Sequence, residues 1–175
     1  MKSSKMKTFI WTLSANEASR VLRDLLDSDP TLMQKAYDTA VRIAEDVDID
    51  SIADRVFFGL NSLDVDDLNS RAGRSQYGYV DPIDAAYELF EETLEPFVDE
   101  MKRNQKRSLP AAAKAYCIGI ILGLWRYDEE SNSDFAGWIE DAPGDYIDRV
   151  IEEWQKENPS SEDIAEVMNI IQEKQ

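Results

Sequence analysis

Among residue types that do chemistry, this chain is rich in one and nearly empty of the others. It has no histidine, a single cysteine and 36 Asp+Glu. Without imidazole there is no Ser-His or Cys-His nucleophile pair, and no Glu-x-x-His half of a di-iron site. Cys117 lies between Tyr116 and Ile118 in an apolar run. A thiolate there would be poorly solvated and its nucleophilicity masked, so core packing is the reading for it. Carboxylates remain. The densest group is Glu91-Glu92-Thr93-Leu94-Glu95, preceded by Glu88. On a helix Glu88, Glu91 or Glu92, and Glu95 share a face. Such a face can hold Mg²⁺, which takes oxygen ligands and keeps several waters.

The pattern EExxE at 91–95 resembles the first acidic motif of the all-α nucleoside triphosphate pyrophosphohydrolases. The resemblance implies a Mg²⁺-dependent hydrolase of a phosphorylated small molecule, with Glu88, Glu91, Glu92 and Glu95 as ligands. It covers five residues. In that family an ExxD pair on the next helix completes the magnesium cage, whereas residues 101–127 here contain no Asp or Glu. The next candidates are Asp145, Asp148 and Glu152. The bland alternative is a solvated face opposite the apolar stripe of the same helix.

A second group lies in LDVDDLNSRAGRSQYGYVDP, residues 63–82. An EF-hand reading from Asp64 fails, because its sixth position is Asn69 and its twelfth is Ser75. The acids suit a helix start instead, with Asp64 as N-cap and Asp66 and Asp67 in the first turn. Gly73 then suits a left-handed C-cap. Arg71, Arg74, Tyr77 and Tyr79 are less easily absorbed. Two guanidinium forks and two phenols on a connection are residue types that concentrate in binding surfaces. They are the candidate contact residues, against the reading that the arginines pair with nearby acids. A basic run, Lys102 to Arg107, ends the following helix and complements its dipole; Asp99 can pair with Arg103 at i+4.

The elements that must position these groups are helical. Ser14 and Glu17 have capping-box spacing, followed by Ala18, Val21, Leu22 and Leu25. Asp29-Pro30 and Asp81-Pro82 are cap-plus-proline starts, and Asp50 is a third candidate cap. Ile83, Tyr87, Phe90, Leu94, Phe97 and Met101 follow a 4, 3, 4, 3, 4 spacing, one face of a long helix that Pro96 should kink or restart. Ala115 to Trp125 is apolar almost all round, and Ala115, Gly119 and Gly123 form a small-residue ridge for close backbone approach. No strand periodicity is convincing. The expectation is an all-α single-domain bundle of about seven helices over 14–175, with a central buried helix near 109–127. Residues 1–13 are expected to form a partly ordered arm.

Charge narrows the function classes. The net charge is −17. Residues 1–43 carry 7 basic and 5 acidic side chains, and residues 44–175 carry 12 and 31. An acidic surface disfavours nucleic acid and anionic membranes and attracts basic partners. One cysteine fits a reducing compartment, the Phe9–Leu13 patch is shorter than a signal-peptide core, and no run reaches the ~20 apolar residues of a span. The sequence therefore points to a cytoplasmic, non-catalytic protein with no cofactor that binds a protein partner, with a homo-oligomer compatible with it.

Overall fold

The computed structural model describes residues 2–75 and 78–174. Among the described residues the structure is all-α apart from one short hairpin, and its contacts divide the chain into two compact units, Met1–Ala44 and Glu45–Gln175. Nine α-helices occur among the described residues, two more than the sequence suggests. No helix among them is long and apolar enough to cross a membrane.

The first unit holds α1 (Lys2–Trp11), α2 (Ala15–Ser28) and α3 (Pro30–Glu45), the last reaching one residue past the boundary. Helix α1 occupies most of the segment read from sequence as an arm. Helix α2 begins with the capping box: Glu17 N donates to Ser14 Oγ at 3.4 Å and Ser14 N donates to Glu17 Oε2 at 2.9 Å. Asp29 accepts from Thr31 N at 2.8 Å, so Asp29-Pro30 starts α3 as its sequence implies. Among the described residues of this unit none is buried.

The second unit contains the core. Helix α4 (Ile49–Asn61) is capped by Asp48, which accepts from Asp50 N at 3.1 Å. The sequence points to Asp50 as that cap; it lies instead in the first turn, where its carboxylate faces the helix dipole. Helix α5 (Val65–Arg71) has the expected Asp64 cap, in a box closed by Asp67. Next come β1 (Gly73–Ser75) and β2 (Gly78–Val80), an antiparallel pair with Arg74 opposite Tyr79. Gly73 does adopt positive φ, +99°, but it opens a strand, the cap position of α5 being the extended Ala72.

Helix α6 (Pro82–Lys106) runs unbroken through Pro96. Pro96 is exposed, and so is Glu92, whose carbonyl loses its amide partner. Its buried stripe includes Phe90, Leu94, Phe97 and Met101 as the spacing predicts, while Ile83 is 54 % exposed and Leu89 takes a core position. Helix α7 (Pro110–Glu130) follows, then a 3-10 turn (Ala136–Trp138), α8 (Ala142–Gln155) and α9 (Ser161–Lys174). Helix α7 packs against α4, α6, α8 and α9. Its small-residue ridge faces α4. A Cβ at Gly119 would lie 2.6 Å from Ile52 Cβ, and one at Gly123 2.6 Å from Val56 Cβ and 2.8 Å from the Ala53 carbonyl oxygen. Only a hydrogen fits at either position, which is why the sequence accepts the ~1 kcal/mol helix penalty of glycine twice.

Candidate functional site

The glutamate face of α6 lines a groove. Residues 88, 91, 92, 95, 99 and 102 recur at three- and four-residue steps, so one side of the helix presents Glu88, Glu91, Glu92, Glu95, Asp99 and Lys102. Helix α8 closes the other side with Tyr146, Arg149, Val150 and Glu153, at the same steps. The open space is about 350 Å³. Asp145, Asp148 and Glu152, the acids that the pyrophosphohydrolase resemblance would need from this part of the chain, do not line it. They lie on other faces of α8.

The glutamates are not gathered for a metal. Among the described residues no three Asp, Glu or Cys side chains could hold an ion together. Glu92 is instead clasped by Arg71 through two parallel bonds of 2.6 Å each, the bidentate fork that guanidinium and carboxylate favour. That bond holds the Glu92 carboxyl below its ordinary range and the guanidinium above its own. Arg149 pairs with Glu91 and lies over the Tyr146 ring, 5.0 Å from its centroid. Tyr146 in turn meets Phe90 edge to face at 5.5 Å. Burial raises the Tyr146 phenol, and among the nearby charges Arg149 works against that shift while Glu91, Glu95 and Asp99 add to it. Lys102 reaches Glu153 at 3.3 Å, and Lys156 pairs with the same carboxylate. Glu153 is held low, first by Lys156 and then by Lys102.

Of the contact residues named from sequence, Arg71 is committed to Glu92 and Tyr79 stands 69 % exposed on β2. Arg74 is placed by its backbone on β1; its side chain and the whole of Tyr77 lie outside the described residues. Arg71 and Glu92 entered the sequence reading as members of rival sites, and the fold makes them partners. Arg103 pairs with Glu100 at 3.0 Å, an i,i+3 contact in place of the i,i+4 contact with Asp99 that the spacing suggested. Tyr146 and Arg149 are the site residues that sequence reasoning missed. Tyr146, Val150 and Trp154 fall at four-residue steps and mark a buried face of α8, but nothing local says that the turn carrying Arg149 faces α6.

A second feature is independent of the groove. In the first unit Met6, Phe9, Ile10 and Trp11 of α1 are exposed, Trp11 to 85 %. So are Val21, Leu22 and Leu25 of α2, and Leu32, Met33, Tyr37 and Ile43 of α3. None of the three helices packs extensively on another of the three. They are 10, 14 and 16 residues long, and helices of this length are marginal in water without tertiary contacts.

Comparison with protein-family models, with curated proteins and with solved structures finds no match to this chain.

Proposed function

We propose that this protein works without catalysis, by binding another protein, and that the apolar faces of α2 and α3 are the contact surface. The carrying observation is the exposed apolar stripe on two helices that have no core of their own. Contiguous exposed apolar surface marks interaction sites in soluble proteins, whereas single exposed residues need no explanation. The stripes here are contiguous: Val21 and Leu22 neighbour Leu25 at four- and three-residue steps, and Met33 neighbours Tyr37 at a four-residue step with Leu32 beside it. The Arg71–Tyr79 connection is a weaker surface, because the Arg71 fork is satisfied by Glu92. The glutamate groove gives little support to a Mg²⁺ hydrolase for the parallel reason: Glu91 and Glu92 are engaged by arginines.

Amide hydrogen exchange over residues 15–45 tests this. Tagged full-length chain, recovered gently from its native lysate with whatever it carries, is expected to show slowed exchange there. A Leu25→Glu/Tyr37→Glu variant is expected to show fast exchange in the same segment and unchanged protection in α7. Equal exchange in the two proteins over 15–45 would remove the apolar faces as the contact surface.

A further inference from the structure

We infer that the occupant of these faces is a second copy of the same chain, so that α2 and α3 of two molecules bury each other's apolar stripes. The inference rests on the reading of those faces as a docking surface and names the partner.

Area is the first argument. An aromatic side chain buries about 150–250 Å², and the aliphatic ones that make up the rest of the stripes bury less. At their fractional exposures of 37 % to 64 %, Tyr37 and the six aliphatic residues Val21, Leu22, Leu25, Leu32, Met33 and Ile43 together leave on the order of 600 Å² per copy. A standard interface takes ~800 Å² from each partner, a little over half of it apolar. The two stripes are therefore enough for a stable dimer before α1 adds anything.

Charge is the second. Residues 45–175 carry 12 basic and 31 acidic side chains, so two copies of that unit repel. Residues 1–44 carry 7 and 5, nearly balanced and of mixed sign. If the chain meets itself, charge confines the meeting to the first unit. The polar residues of the two helices suit a copy of themselves. Arg20, Arg23, Asp24 and Asp27 on α2, with Lys35 and Asp38 on α3, put both signs on each helix. A twofold contact can then set acid against base from the two molecules. A strongly basic or strongly acidic partner would find no such match here.

Sedimentation velocity of purified full-length chain reads the outcome directly. One chain weighs 20.0 kDa. We expect twice that mass, falling to 20.0 kDa in the Leu25→Glu/Tyr37→Glu variant, whose main thermal transition should persist because the core lies in Glu45–Gln175. A dimer that survives the double substitution overturns the inference. So does a 20.0 kDa native chain at all concentrations. In that case slowed exchange over 15–45 in material from the lysate would keep the docking reading with a foreign partner. Equal exchange would end both.

Discussion

Gly123 shows how much one atom can decide. A methyl group there would meet Val56 Cβ at 2.6 Å and the Ala53 carbonyl at 2.8 Å, and a backbone oxygen cannot rotate away. Gly123→Ala gains ~1 kcal/mol of helix propensity against an overpacking cost of typically ~1–3 kcal/mol, which the clash with a backbone oxygen puts at its upper end here. We expect a melting temperature lower by several degrees, measured by circular dichroism, and the same direction for Gly119→Ala. Gly137→Ala, with open space around its Cβ, should be close to neutral. Cys117 belongs to the same scale. It is fully buried and its thiol is pushed up to about 12 by desolvation, which agrees with the inert core role its apolar neighbours imply.

Helices in the second unit are tied together by ion pairs as well as by apolar packing. Lys114 of α7 donates to Asp163 and Glu166 of α9 at 2.6 Å each, and its side chain is only 21 % exposed. Arg126 of α7 bonds Asp54 of α4 at 2.6 Å and lies 4.1 Å over the Phe57 ring. The bonds to Asp163 and then Glu166 raise the lysine; the bond to Lys114, followed by that to Ser160, lowers Asp163. The signs give a window. Asp163 contributes above the ordinary aspartate range, and its contribution is lost as pH falls through its lowered folded value. Lys114 contributes below the ordinary lysine range, and its contribution is lost as pH rises through its raised folded value. Helix α9 is therefore pinned across neutral pH. Lys114→Met should speed amide exchange in 161–174 at neutral pH, and the difference from the unsubstituted chain should shrink in strong acid. Because the acids are partly solvated, the cost in global stability should stay near ~1 kcal/mol. A global loss much larger than that would mean that the ion pairs, more than the core contacts of Val167 and Ile171, hold α9 in place.

At the scale of the whole molecule, the charge of 45–175 costs stability. Its 31 acids repel across a compact unit, and salt screens exposed charges over about 8–10 Å at physiological strength. Moderate NaCl should raise the melting temperature, the opposite of what a fold held mainly by exposed ion pairs would show. A falling melting temperature would mean that pairs such as Arg71–Glu92 outweigh the general repulsion.

Much of this was legible in the chain itself. The capping box at Ser14, the Asp64 cap and the Asp81-Pro82 start are local physics: an oxygen and an amide within three residues of each other need no distant partner. The apolar periodicity of α6 and the glycine ridge of α7 likewise announce a buried face, since period and side-chain size are written residue by residue. What faces what was not. Whether Glu92 would meet a magnesium ion or Arg71 depends on how α5 folds back on α6, and a spacing of 21 residues carries no signal for that. The hairpin after Gly73 and the crossing of α8 beside α6 are long-range outcomes in the same sense. The amphipathic stripe of α2 is visible as a pattern in Ala18, Val21, Leu22 and Leu25, but a pattern says only that a face seeks cover. That this face lies open to solvent is a fact of tertiary packing, because exposure is a property of the neighbours a residue acquires and not of the residue.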